Sequence, residues 1–248
     1  MAGERGVIAV TGASRGIGAA ITLELARRGY TVGCLTRKGA GIEVASSVDD
    51  TLAGRMLSLV CDVTDEDSIR KAFAALAARA GGISGLVNNA GVFIEGRSAE
   101  LATGVYEQVM DTNARSVFVA CREVYPYLET GGGTIVNIGS FFDKLGVKRS
   151  LAYCASKAAV GAITRCLAVE WAAKKIRVLD VAPGYITTEL NAAAMQGKLK
   201  AFLEARVPTG GPGTAQDVAR LVAALFGEDV PFLTGATIYL DGGQGMAH

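Results

Sequence analysis

Short runs of β-branched residues alternate with longer, alanine-rich stretches along the whole chain, and this alternation limits the fold more than any other feature of the sequence. The strand candidates are "GVIAVTG", "TVGCLT", "RMLSLVCDV", "GLVNNAG", "GTIVNIGS", "IRVLDVAPG" and "ATIYLDGG". Between them lie helical patterns such as Ile69, Phe73 and Leu76, preceded by Thr64 and Asp67 at capping-box spacing. Strands that alternate with helices become parallel neighbours joined by right-handed crossovers, so the expectation is an α/β, doubly wound sheet of seven parallel strands with helices on both faces. Seven such strands use nearly all 248 residues, which predicts a single Rossmann-fold domain over 1–248. One long irregular interval, roughly Ile186 to Pro212, follows the carboxyl end of a strand, where ligands of open α/β sheets bind. It is expected to act as a lid that carries substrate specificity.

The first strand runs into "TGASRGIGAAI", which places Gly12, Gly16 and Gly18 at the first βα turn. Glycines there allow a tight turn and close backbone approach, and the helix that follows points free N–H groups at a phosphate. The spacing G-x3-G-x-G lacks the Gly-Lys-Ser/Thr ending of a P-loop, which argues against a kinase or ATPase and for a dinucleotide. The second strand ends in "CLTRKG", with Thr36, Arg37 and Lys38 where an acidic residue would favour the ribose of NAD. Arg15 in the glycine loop is placed to face the same point. Cations without a carboxylate favour the 2′-phosphate of NADP(H), with NAD(H) as the alternative.

Other counts exclude chemistries. The sequence has 25 basic and 24 acidic residues, a balance unlike that of a nucleic-acid-binding surface, so small molecules are the expected ligands. The only histidine is His248, so a Ser-His-Asp triad and a His-ligated metal are both disfavoured, and acid/base work falls to Tyr, Lys, Asp, Glu or Cys. Cys34, Cys61, Cys121, Cys154 and Cys166 show no metal-ligand spacing and read as reduced, mostly buried thiols. No apolar run reaches the ~20 residues of a membrane span, and "MAGERGVIAVTG" lacks the apolar region of a signal peptide; a soluble, cytoplasmic protein is expected.

Tyr153 and Lys157 in "SLAYCASKAAV" are separated by i,i+4 and so share one helix face. A neighbouring ammonium favours the phenolate, which would bring a tyrosine of ordinary pKa ~10 nearer to working range. Such a pair is weak evidence alone. "TGASRGIG", "CDV", "NNAG" at 88–91, Asn113, Ser140, "YCASK", "PGYITT" and "TGATIYLDGG" occur together in the order and spacing of the short-chain dehydrogenase/reductase (SDR) family, which the chain resembles over essentially its whole length.

The resemblance implies a nicotinamide-dependent oxidoreductase that interconverts a carbonyl and a secondary alcohol. Tyr153 would be the acid/base, Ser140 would hold the substrate oxygen, Lys157 would bind the nicotinamide ribose and lower the Tyr153 pKa, and Asn113 would support a water linking Lys157 to solvent. The implied cofactor set is Gly12, Ser14, Arg15, Gly16, Ile17, Gly18 and Arg37, with Asp62 and Val63 at the adenine, and Asn89, Ala90 and Gly91 along the cleft. Tyr153 and Lys157 belong to it, as do Pro183, Gly184, Ile186 and Thr188, with Ile186 and Thr188 at the carboxamide. Ser84 departs from the family, many of whose members carry aspartate there, and the stretch after the second strand is not a clean amphipathic helix.

Two substrate classes stay open: 3-oxoacyl thioesters, by resemblance to 3-oxoacyl-acyl-carrier-protein reductases, and sugar acids or polyols, by resemblance to gluconate-type dehydrogenases. "SFFDKLGVKRS" sets Phe141, Phe142 and Leu145 beside Asp143, Lys144, Lys148 and Arg149, whose charges are expected to face solvent. A non-catalytic nucleotide-binding redox sensor is the rival from another class, and a homotetramer is a family expectation.

Overall fold

The computed structural model describes residues 5–39, 41–42, 48–189, 191 and 197–246. Seven strands form one parallel sheet: β1 (Val7–Thr11), β2 (Thr31–Thr36), β3 (Met56–Val60), β4 (Gly85–Asn88), β5 (Gly133–Ile138), β6 (Ile176–Pro183) and β9 (Thr237–Leu240), in the order β3-β2-β1-β4-β5-β6-β9. All seven expected strands are present. A small parallel pair, β7 (Ile186–Thr187) and β8 (Gly213–Thr214), lies apart from the sheet.

Alternation along the central strands divides the core into two layers. Val7, Ala9, Leu86 and Ile135 pack on one side with α3 (Glu66–Ala80), α5 (Ser116–Leu128) and α6 (Leu151–Trp171). Ile8, Val10, Val87 and Val136 pack on the other with α1 (Gly16–Arg27) and α8 (Ala215–Gly227). The helices present apolar stripes at helical spacing: Ile69, Phe73 and Leu76 of α3 are fully buried, as are Ile21 and Leu25 of α1. The start of α8 is fixed by a capping box between Thr214 and Asp217.

Several local expectations need correction. Helix α3 is capped by Asp65, whose carboxylate accepts from Asp67 N–H, whereas Thr64 is bonded to Asp62 through both its amide and its hydroxyl. The 186–212 interval is not irregular throughout, since it contains β7 and α7 (Gly197–Arg206); Leu203 of α7 and Val207 just beyond it pack with Tyr185 and Leu199 in a cluster of their own. Its apolar residues are too few to register as a helical stripe. Ser84, the family departure, bridges β4 to β1, accepting from Val7 N–H at 3.0 Å and donating to the Val7 carbonyl at 3.1 Å. Part of the stretch after β2 and His248 lie outside the described residues; within that stretch, α2 (Asp50–Ala53) is a single turn capped by Asp49.

Cys34, Cys61 and Cys121 are buried, and burial pushes each thiol up to about 12, so they serve as apolar filling. Cys166 is exposed and Cys154 half-buried, so the expectation of burial holds for three of the five. Among the described residues no helix is long and apolar enough to cross a membrane.

Candidate active site

The strand order reverses between β1 and β4, and the loops that leave their carboxyl ends form a cleft of about 570 Å³. The glycine loop makes one wall. Gly16 has a φ of +57°, in the left-handed region, and a β-carbon on Gly18 would overlap the Gly12 carbonyl oxygen and lie 2.5 Å from Asn89 Nδ2. Arg15 precedes α1 without a side-chain cap, which leaves the first-turn N–H groups of α1 facing the cleft. This cradle has room for a backbone-bound phosphate and for no side chain at Gly18, so the residues present fit a dinucleotide.

Asn89 fastens the opposite wall to the loop. Its side-chain amide donates to the carbonyls of Thr11 at 3.0 Å and Gly12 at 3.2 Å, while Asn89 and Ala90 N–H both donate to Thr11 Oγ1. Thr11 escaped the sequence reading because it looks like any strand residue. Ser14, Ile17, Arg37, Asp62, Val63, Gly91 and Thr188 line the same cleft. Asp62 is held below the ordinary carboxylate range, chiefly by its hydrogen bonds to Thr64, with help from the Arg37 charge.

Five expected cofactor residues lie outside the lining of this cleft: Tyr153 and Lys157, described below, and Pro183, Gly184 and Ile186. Pro183 is buried in β6, paired with Leu240 of β9, and Gly184 lies against Asp241. Ile186 is 7% exposed and packs in the core under α8, because β7 turns its side chain inward. These residues aim the chain toward Thr188.

The reaction-centre candidates converge where α6, packed along β6, reaches the carboxyl end of β5. Tyr153 and Lys157 lie on one face of α6, with the ammonium 5.6 Å from the Tyr153 ring centroid. Ser140 follows β5 and caps a turn at Phe141–Asp143 by accepting from Phe142 N–H, and its hydroxyl lies close enough to Tyr153 to pull the phenol pKa down. Asn113 is fully buried in a π-helical turn, Asp111–Arg115, between α4 (Thr103–Met110) and α5. Its amide bonds both polar groups of the Val92 backbone at 2.8 Å and donates to Ser156 Oγ at 3.1 Å. The wider turn seats a polar group that a regular helix would not.

Burial raises the Tyr153 pKa and the neighbouring Ser140 hydroxyl opposes it; the net upward direction reverses the sequence expectation for this residue. Lys157 is pushed down to about 8, chiefly by burial, and its ammonium donates to the Ile138 carbonyl at 2.7 Å. The arrangement is suited to holding a phenol protonated beside a buried cation, at the edge of a dinucleotide cleft. Among the described residues no group of three or more His, Cys, Asp or Glu side chains gathers as metal ligands would.

A family model described as enoyl-(acyl carrier protein) reductase matches residues 12–244. The solved short-chain dehydrogenase/reductase of Serratia marcescens superposes with a TM-score of 0.88 at 32% identity, over 97% of this chain and 98% of that one. The chain belongs to the SDR family. Glucose 1-dehydrogenase of Gluconobacter oxydans is 36% identical over 95% of this chain and 90% of its own length. The 3-oxoacyl-[acyl-carrier-protein] reductase FabG of Haemophilus influenzae is 34% identical over 94% and 96%. A 3-oxoacyl-[acyl-carrier protein] reductase from Brucella melitensis, solved in complex with NAD, superposes with a TM-score of 0.88 at 31% identity, covering 98% of each chain. As an SDR, the protein is an oxidoreductase that uses a nicotinamide cofactor.

Sequence reasoning missed the aromatic surround of the SDR tyrosine. Phe93 meets the Tyr153 ring edge-on at 4.9 Å and Phe142 does so at 6.0 Å, while Tyr185 packs against Phe141 and Phe142. Phe93 and Tyr185 sit in unrelated loops, with no spacing to betray their meeting. Lys144, Lys148 and Arg149 are exposed, as expected, whereas Asp143 is half-buried and accepts from the Tyr239 hydroxyl at 2.9 Å.

Proposed function

We propose that the chain is an NADP(H)-dependent reductase of 3-oxoacyl thioesters or related ketones, with Tyr153 as the proton donor. The observation that carries this reading is the Tyr153 phenol, beside Ser140 and walled by Phe93 and Phe142, at the edge of a cleft whose far rim holds Arg15 and Arg37.

The residues suited to hold the cofactor are the glycine loop at the pyrophosphate, Arg15 and Arg37 at a 2′-phosphate, Asp62 and Val63 at the adenine, and Lys157 with Thr188 at the nicotinamide end. Bound there, a nicotinamide supplies or accepts a hydride. The chain does the rest. Ser140 donates to the substrate oxygen and fixes the carbonyl against Tyr153. The phenol, kept protonated by burial, gives its proton to the oxygen as negative charge develops there. Lys157 stabilises the phenolate left behind, and Asn113 holds the backbone at Val92 that flanks the ammonium.

An apolar wall of Phe93 and Phe142 favours a ketone with an apolar substituent, and the solvent-facing Lys148 and Arg149 weaken the case for a sugar acid. A polyol or sugar-acid dehydrogenase using NAD is the second reading, favoured by Asp62 at the cleft rim and by the glucose 1-dehydrogenase relative. A non-catalytic sensor is disfavoured because Asn113, Ser140, Tyr153 and Lys157 are all kept. A homotetramer is part of the proposal; apolar side chains on exposed parts of α5 and α6, Phe118 and Val169, support association through that face.

Assaying 3-oxoacyl thioesters, simple ketones, sugars and polyols with NADPH and with NADH, by nicotinamide absorbance, tests the reading. NADPH-linked ketone reduction is expected. NADH- or NAD-linked turnover confined to sugars or polyols would overturn it.

A further inference from the structure

Among the described residues only two of the buried side chains come from Asp, Glu, Lys or Arg: Lys157 and Asp180. Asp180 sits in the middle of β6 and is fully buried, with β5 on one side and β9 on the other. Its Oδ2 accepts from Thr237 Oγ1 at 3.1 Å, and its Oδ1 has no hydrogen-bond partner. A buried carboxylate with one orphaned oxygen is costly unless charge nearby compensates it.

Two glycines make its berth. The carboxylate presses on Gly139, where any β-carbon would overlap it, and a β-carbon on Gly161 would lie 3.9 Å from Oδ2 and 3.4 Å from Arg165 Nη1. Lys157, Gly161 and Arg165 follow at four-residue spacing down one face of α6, so Asp180 lies beneath the gap between two cations. Lys157 donates to the carbonyl of Ile138, the residue before Gly139. The end of β5 that leads to Ser140 is therefore clasped between the ammonium and the carboxylate.

The geometry points to Asp180 as the buried counter-charge of Lys157, a positioning residue that keeps the lysine an ammonium beneath Tyr153. The inference rests on Lys157 serving the reaction. Every ionisable neighbour is accounted for: Lys157 and Arg165 from α6, Asp143 from the turn after Ser140, and Tyr239 from β9. Burial pushes the Asp180 carboxyl up to about 6 and Asp143 adds to this, against the Thr237 hydroxyl, the Lys157 charge and the Gly139 backbone. Asp180 is the charge that opposes the burial-driven fall of Lys157, which stands at about 8 with that charge present. Losing an opposing charge at this range lowers an ammonium by about one pH unit, enough to leave about half of Lys157 neutral near pH 7.

The full chain, labelled with 13C at lysine Cε, reports this directly by NMR, with the Lys157 resonance assigned by its loss in Lys157→Arg. The wild-type resonance is expected to move in two steps, near pH 6 with Asp180 and near pH 8 with its own proton. Asp180→Asn should abolish the lower step and bring the upper one down by about one pH unit. Thr237→Val, which removes the hydroxyl bonded to Oδ2, should raise the lower step and leave the upper unchanged. A single step in the wild type, or an upper midpoint that Asp180→Asn does not move, overturns the inference; if Asp180→Asn does not fold, the wild-type and Thr237→Val titrations decide it. No turnover is read, so a failure of the Tyr153 mechanism would appear only in kinetics and is distinguishable from a failure here.

Discussion

The Lys157 ammonium stands 5.6 Å from the centre of the Tyr153 ring and donates to the Ile138 carbonyl, so helix α6 and the end of β5 are joined directly below the phenol. A buried cation in this place has a measurable cost. Because folding depresses the Lys157 pKa to about 8, the unfolded chain binds more protons than the folded one between there and the ordinary lysine value near ~10.4. The lysine therefore lowers stability fully below pH 8, and that penalty is relieved as pH rises toward 10. The wild-type melting temperature should therefore rise between pH 8 and 10, and Lys157→Met, which lacks the titrating group, should not show that rise, while its turnover falls by about a hundredfold or more. Parallel melting curves across that window would contradict the burial of a charged lysine.

Gly18→Ala tests the cradle. The added methyl overlaps the Gly12 carbonyl and crowds Asn89, so the first βα turn must open. A loss of about 2–3 kcal/mol in unfolding free energy and of measurable nucleotide binding is expected. Denaturant unfolding and titration with the reduced nucleotide check both.

Arg37→Ala tests the dinucleotide assignment. If the guanidinium meets a 2′-phosphate, its loss removes about 1.5–3 kcal/mol of charge-assisted hydrogen bonding, and the KM for NADPH should rise about tenfold to a hundredfold. The KM for NADH should change by less than about threefold. Equal effects on both would place the phosphate elsewhere.

The cap of α3 separates two side chains that the sequence leaves ambiguous. Asp65→Ala should destabilise the fold by about 1 kcal/mol, since it orphans the Asp67 N–H. Chemical denaturation of Asp65→Ala and Thr64→Ala, compared side by side, shows which residue holds the helix start.

What the sequence revealed and what it hid have physical causes. The seven strands and the glycine loop were legible because period-two and period-3.6 patterns, and glycines at a strand end, are local signals. Tyr153, Lys157, Ser140 and Asn113 were legible through family resemblance, which orders residues that no local pattern links. The π-helical turn under Asn113 left no mark, because its register depends on packing against Val92 and Ser156. Helix α7 leaves no signal for want of a buried stripe, and the burial of Ile186 under α8 and the pairing of Pro183 with Leu240 depend on elements distant in sequence. Asp180 was invisible: in "IRVLDVAPG" it is one acidic letter in a strand, and only the meeting of β5, β6, β9 and α6 gives it Lys157 as a neighbour.

In the proposed reaction the Tyr153 hydroxyl moves the proton, and Tyr153→Phe isolates that role because only the oxygen is removed. On whichever ketone of the substrate panel is turned over fastest, kcat should fall by about a thousandfold or more, with NADPH affinity within about threefold of wild type and an unchanged melting temperature. Turnover within tenfold of wild type in a folded, NADPH-binding Tyr153→Phe protein would contradict the account.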